Sequence, residues 1–378
     1  MRRSTASKIQ GFTLLEVLIS IALGLIVLGS AVRLFSTAVD GTFLVKQRAE
    51  MQQNGRAAVG LMTQDISLAG AGLPTSGIQL PSATGVNPLY GCSAVGCYVS
   101  GITPAGVSFP SNHLYGVIPG YGLGMPMSAG GQSTDIITVT YTDNTFALNS
   151  YAVTAFPVGG ASITMGAAPA GVPALVDPAV GVKLGDLLLV QNDRGASVGE
   201  ITGIAGNTIN FADLDPLRIN QNGAASGNLK AISRNVDATT GVVTPLTAVQ
   251  LAATKVVRIL VITYYLNIPP GPDGVRYTAD DFPPQLMRQV NAQKPTPVAQ
   301  NIADLQFSYD IFDEGSATST SNLRDAGVSV GKDLNQIRKV NVVGMTARSN
   351  VKGKPGFQGL DLSTAVTVRN MSFRDRYQ

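Results

Sequence analysis

Gly11-Phe12-Thr13-Leu14-Leu15-Glu16-Val17-Leu18 opens an apolar run that continues to Val32 and holds a single ionisable side chain, Glu16. At about 1.5 Å per helical residue, residues 12–32 cover roughly 31 Å, the thickness of the hydrocarbon core of a bilayer. A carboxylate inside such a span is costly and is kept where it has a task. Arg2, Arg3 and Lys8 precede the run with no acid among them. The positive-inside rule therefore places this short end in the cytoplasm and the rest of the chain across the inner membrane. Arg33, at the far end of the span, reaches the opposite headgroups on its aliphatic stem.

A secretory signal peptide shares the basic start and apolar middle, and Leu28-Gly29-Ser30-Ala31 offers small residues for cleavage before Val32. Glu16 argues against it, because a signal h-region is apolar throughout. A plain signal anchor leaves both Gly11 and Glu16 unexplained.

The residues from Gly11 to Leu18, behind their basic leader, resemble the class III signal of type IV prepilins and type II secretion pseudopilins. The resemblance implies that prepilin peptidase cuts between Gly11 and Phe12, that the new amino terminus of Phe12 is methylated, and that Glu16, at the fifth mature position, assists assembly. Electrostatics supplies a reason. The freed α-amino group of Phe12 is largely cationic at neutral pH, so one cation and one anion would lie four residues apart in lipid. Each is costly alone and tolerable when paired. A neighbouring subunit, one helical step along a filament, brings its terminal ammonium to this carboxylate and sets the axial register.

The helix is expected to continue past the membrane. From Ala31 to Ala69 there is no proline, and Val59, Met62, Ile66 and Ala69 fall on one helical face, with Leu61 and Leu68 beside it. Gly41, Gly55 and Gly60 are expected to weaken its interior, by up to about 1 kcal/mol each. Gly70-Ala71-Gly72-Leu73-Pro74 supplies the stop.

Everything after Pro74 reads as a β-rich periplasmic head. Strands are expected at 135–141, 186–191, 207–211, 255–266, 305–312, 337–346 and 365–372, and no second helix of comparable length is visible. Residues 182–211 have the form of a small barrel or hairpin unit with turns at Gly203 and Gly206-Asn207. Between Ala71 and Val182 the only charged side chains are Asp135, Asp143 and Asp177. Long loops draped over the sheet are the favoured reading of that stretch. The sharper reading is a surface that meets another subunit or an external target, since charge depletion marks interface cores.

Cys92 and Cys97 are the only cysteines. A disulfide between them is expected in an oxidising periplasm, where so short a loop stiffens a local turn. Two thiolates without a His or Cys cluster do not complete a zinc site. The single histidine, His113, has no carboxylate near it in sequence, and no nucleophile elbow or phosphate loop is present. Asp273, Asp280 and Asp281 are calcium candidates, but they do not match an EF-hand loop and a solvated turn is the better reading; Asp310, Asp313 and Glu314 are treated alike. No enzyme activity, cofactor or metal is expected.

The chain carries 27 Lys and Arg side chains against 24 Asp and Glu, a formal charge of +3. Arg2, Arg3 and Lys8 account for the whole surplus, so a chain cut after Gly11 is formally neutral and no nucleic-acid partner is expected. Local basic groupings remain, Arg324 with Lys332, Arg338 and Lys339, and Arg348 with Lys352 and Lys354, and a solvated face is their default reading.

Residues 301–310, 337–349 and 366–370, together with Gln53-Asn54-Gly55-Arg56 and residues 65–70, resemble minor pilins of the PilW family; similar closing blocks occur in GspJ-type pseudopilins. The resemblance implies an α+β, type IV pilin-like fold, a long N-terminal hydrophobic α-helix packed on a large antiparallel β-rich head. The expected divisions are a cytoplasmic leader (1–11), a transmembrane and assembly part (12–33), a periplasmic amphipathic half-helix (34–72) and the head (73–378), with 75–253 a family-variable insertion. The implied function is that of a non-catalytic minor pilin that helps prime type IV pilus assembly and sits at or near the tip. The implied partners are prepilin peptidase, other minor pilins, the major pilin and the inner-membrane assembly platform. A type II secretion pseudopilin, a tip adhesin and a DNA-uptake subunit are the alternatives.

Overall fold

The computed structural model describes residues 12–75, 77–83, 86–93, 96–99, 113–313, 315–324, 334–350 and 357–371. A helix of 55 residues, Leu14–Leu68, leads into an antiparallel β-rich head. Thr13 caps it, accepting from the Glu16 amide while the Glu16 carboxylate accepts from the Thr13 amide, a reciprocal capping box. The helix runs unbroken through Gly41, Gly55 and Gly60. Gly55 has a packing role in place of the expected weakness: a Cβ there would lie 2.5 Å from Leu362 Cδ1, so its absence lets the helix settle on the sheet.

The far end of the helix is stitched to the head. Gly70, at φ +80°, turns the chain so that its amide donates to Thr140 O at 2.8 Å, and the Thr142 amide donates back to Ala71 O at 2.9 Å. Gly116 lies so close to this turn that an added Cβ would meet the Gly70 backbone at 2.8 Å.

The spine of the head is the 13-residue strand Lys255–Asn267. Its first part pairs with Leu187–Asn192 and its second with Ile136–Thr142 and Gln285–Val290. Val117–Gly120, Gly195–Glu200 and Thr296–Gln300 complete a seven-stranded sheet. A second sheet runs in the order Thr318–Leu323, Ile302–Asp313, Ile337–Asn350, Phe357–Thr367. Ala58, Met62, Ile66 and Ala69 of the helix enter the main core between them. Each large side chain buried there contributes on the order of 1.5–3 kcal/mol. The two further α-helices among the described residues, Leu229–Ile232 and Ala248–Ala253, are one turn or so long.

A smaller core gathers Phe146, Phe156, Ile163, Ile209 and Phe211 under a sheet ordered Gly203–Ala205, Thr208–Asn210, Ser162–Met165, Val153–Ala155. The run Leu187-Leu188-Leu189-Val190 joins the two cores. Leu187 and Leu189 face the main one, and Leu188 and Val190 the smaller one. A strand buried on both faces reads as a continuous apolar run, as this one does.

Several expectations are corrected. The stretch 71–182, expected as draped loops apart from the strand at 135–141, supplies that strand as Ile136–Thr142 and a second one, Val117–Gly120, to the main sheet, where their β-branched residues are buried on both faces. Whether or not residues 75–253 vary within a family, they supply four of the seven strands of that sheet. The unit expected at 182–211 is split: Leu187–Asn192 and Gly195–Glu200 form a hairpin of the main sheet, while the hairpin turning at Gly206-Asn207 belongs to the smaller one. Gly203 opens a strand, and the first turn is at Asp193-Arg194. The last strand, expected at 365–372, is Phe357–Thr367, and Arg369–Met371 folds into a 3-10 turn whose Asn370 side chain donates to Ser67 O on the long helix.

Candidate functional site: the N-terminal helix and its junction with the head

Phe12 stands 85% exposed at the start of the helix, and from there to Gln53 no residue is buried. Glu16 Oε2 accepts from the Thr13 amide at 2.9 Å and from the Thr13 hydroxyl at 3.0 Å. The carboxylate is thus held at the helix N-terminus, where the partial positive charge of free amides favours an anion. Its second oxygen is available to a further donor. Ser20, Ser30, Thr37 and Thr42 bond back to carbonyls four residues earlier, which hides their hydroxyls on the apolar surface. The helix has one window long and apolar enough to cross a membrane. Beyond residue 33 it still exposes Leu34, Phe35, Phe43 and Val45. Gly11 and the basic leader lie outside the described residues.

The first buried residues, Gly55, Ala58, Met62, Asp65 and Ile66, mark where the helix meets the head. Asp65 is the unexpected member of this stripe. Tyr141 Oη donates to its Oδ1 at 2.7 Å, Tyr264 Oη to its Oδ2 at 2.6 Å, and Arg288 Nε to Oδ2 at 2.8 Å. Burial pushes both tyrosine hydroxyls above their ordinary pKa, and the hydrogen bonds and negative charge of Asp65 push the same way. Burial opposes the charge on Arg288, but Asp65 and Tyr264 outweigh it and its pKa rises. The cluster holds a carboxylate, two neutral phenols and a guanidinium in one satisfied network. It fastens the helix to three different parts of the main sheet. Its sequence signal was available: Asp65 is three residues after Met62 and four before Ala69, an acid at an inward position of an apolar stripe.

A second clasp steadies the join between the two cores. Arg258 Nε donates to Asp143 Oδ2 at 2.7 Å and Nη1 to Asp186 Oδ2 at 3.3 Å. Asp143 is lowered, because the Thr145 and Arg258 hydrogen bonds outweigh burial, whereas Asp186 is raised by burial. Elsewhere Glu200 is pushed up to about 9, by burial first and then by neighbouring Asp215.

The remaining sequence candidates do not come together. Cys92 and Cys97 sit on the antiparallel strands Leu89–Ser93 and Gly96–Val99, but their side chains, and with them the expected disulfide, fall outside the described residues. Asp273 and Asp281 accept from loop amides, at Val275 and at Gly271, Tyr277 and Thr278, and Asp280 accepts from the Thr278 hydroxyl. These carboxylates shape their own turn, and no group of three His, Cys, Asp or Glu placed for a metal occurs among the described residues. His113 Nδ1 is buried without a hydrogen-bond partner. The basic residues grouped in sequence around Arg324 have separate partners: Arg324 pairs with Asp135 and Lys339 with Asp310, while Arg338 binds the carbonyls of Asn335 and Met371. Lys332, Lys352, Lys354, Glu314 and the Arg348 side chain lie outside the described residues.

A family model described as the prokaryotic N-terminal methylation motif matches residues 6–32. No curated protein and no solved structure matches the chain. The motif identifies a type IV pilin or pseudopilin signal, and with the apolar helix it fits a membrane anchor carrying a soluble head.

Proposed function

We propose that this chain is a minor pilin, a non-catalytic component that primes assembly of a type IV pilus and resides at or near its tip. Prepilin peptidase removes residues 1–11 on the cytoplasmic side, Phe12 becomes the methylated amino terminus, and the head stands in the periplasm before assembly. One observation carries the reading: the helix that bears the methylation motif continues well past a bilayer and leaves Leu34, Phe35, Phe43 and Val45 uncovered before it reaches the head. From residue 34 to residue 50 this amounts to about 26 Å of helix that neither lipid nor head covers. Helices of neighbouring subunits would cover it in a filament.

Glu16 is assigned the docking role. Thr13 satisfies one carboxylate oxygen within the subunit. The other oxygen is left to the terminal ammonium of a neighbour, and the pairing selects one axial register. The Asp65 cluster passes the position so fixed to the head, since helix and sheet are bound by charge-assisted hydrogen bonds as well as by apolar packing.

Mass spectrometry of the mature protein tests the reading. An N-methylated amino terminus at Phe12 is the expected result. A terminus at Val32 would mean removal by conventional signal peptidase and loss of Glu16, and would overturn it.

A further inference from the structure

The face of the C-terminal sheet turned away from the long helix holds an open groove of about 650 Å³. Along Ile337–Asn350, side chains alternate between the two faces. Ala347 lies under Gly55 of the helix, whereas Thr346 lines the groove. Packing of the long helix against its neighbours therefore leaves this face free.

The floor is rigidly built. Asp135, whose side chain is 2% exposed, accepts from the Gly122 amide and the Phe307 amide, each at 2.8 Å, and from Arg324 Nη2 at 3.2 Å. That triple hold joins the loop after Val117–Gly120 to the strand Ile302–Asp313 and fixes the Arg324 side chain. The guanidinium also donates to Gln306 and lies 5.2 Å over the ring of Tyr121. Tyr121 remains 41% exposed. The other walls carry the hydroxyls of Ser128 and Ser133, the amide of Gln132 and the carboxylate of Asp304.

We infer that this groove binds a neutral saccharide of one or two rings. Its volume lies in the range of small-molecule sites. The lining is mainly polar, with Met127 and Ala303 as its apolar members; its hydroxyls and amides both donate to and accept from sugar hydroxyls, and the Asp304 carboxylate accepts. An apolar ligand would strip water from those groups and return no hydrogen bonds. An anion would find the one cation already neutralised by buried Asp135 and Asp304 beside it. Arg324 covers one face of the Tyr121 ring and keeps the ring in place, and the exposed ring has its other face for the C–H face of a pyranose. The loop that supplies Tyr121 through Ser133 falls inside the charge-depleted stretch 71–182, as expected of a wall that meets a neutral ligand. The inference does not depend on the assembly reading, because the lining residues named here all belong to one chain.

The test is saturation-transfer NMR on the full chain in a zwitterionic detergent without a sugar headgroup, with glucose, galactose, mannose, N-acetylglucosamine and N-acetylgalactosamine as probes. Transfer to the ring protons of at least one sugar is expected, with a dissociation constant in the millimolar range for a ligand of this size. Tyr121→Ala and Gln306→Ala should each weaken binding about tenfold with the melting temperature unchanged, while Phe282→Ala, an exposed aromatic outside the groove, should bind as the parent does. Absence of transfer from every sugar overturns the inference. So does equal binding by Tyr121→Ala, or displacement of the sugar by inorganic phosphate or spermidine, which would mark a charge-driven site.

Discussion

Arg288 Nε sits 2.8 Å from Oδ2 of Asp65, joining a strand in the middle of the head to the last turns of the N-terminal helix. The Asp65 side chain is 4% exposed, and Tyr141 and Tyr264 complete its hydrogen bonding. Removing one partner of a buried pair leaves the other charge without compensation, a loss of about 3–5 kcal/mol. Asp65→Ala is therefore expected to destabilise the head by that order in urea unfolding of the full chain. Hydrogen exchange should rise first at residues 62–69. A loss below about 1 kcal/mol would show that the cluster does not hold the helix.

The cap that Glu16 forms with Thr13 and the docking role proposed for it are separable. Thr13→Val removes the hydroxyl of the capping box and should cost about 1 kcal/mol of local helix stability while leaving the carboxylate. Glu16→Ala removes the anion itself. Filament counts by electron microscopy should fall modestly for the first and severely for the second, with cleavage after Gly11 intact in both. Normal filaments from Glu16→Ala would defeat the docking role.

Gly116 and Gly60 should respond in opposite directions to alanine. A Cβ on Gly116 meets the Gly70 backbone at 2.8 Å, whereas around Gly60, in the helix interior, there is open space. Gly116→Ala is expected to cost about 1–3 kcal/mol through forced backbone shifts. Gly60→Ala should gain up to about 1 kcal/mol. Thermal melts of the two variants side by side check both signs.

Glu200 predicts a pH dependence. Buried beside Asp215, it has a folded-state pKa pushed up to about 9, far above the ordinary carboxylate value of the unfolded chain. The folded state keeps a proton that the unfolded state releases. Its contribution is therefore complete below about pH 4.3, declines as pH rises, and is gone once pH passes about 9. Glu200→Gln keeps an acceptor for the Leu217 amide, which Glu200 Oε2 holds at 3.1 Å, and removes the titration. The melting temperature of the parent chain should fall between pH 5 and pH 9 more steeply than that of the variant. Parallel curves would contradict the assignment.

Local pattern made much of this legible. The long helix, its inward stripe of Met62, Ile66 and Ala69 and its glycine stop follow from spacing alone, and strands such as Lys255–Asn267 declare themselves by β-branched composition. Strands such as Gly195–Glu200 and Thr318–Leu323 were silent because neither alternates apolar with polar residues. The partners of charged residues were equally illegible. Arg324, Arg338 and Lys339 are near in sequence, but each found its own partner across the sheets.

The amino-acid sequence by itself determined the anchor: the processing motif, the membrane-length apolar run and the lone acid within it act over one to four residues, a range in which helical periodicity dictates neighbours. Tertiary structure alone decided how that anchor is fastened and what the head presents. Asp65 lies 76, 199 and 223 positions from Tyr141, Tyr264 and Arg288, and Asp135 lies 189 from Arg324. No periodicity connects residues so far apart. A buried carboxylate must be satisfied by whichever donors the sheet brings to it, and strand pairing makes that selection.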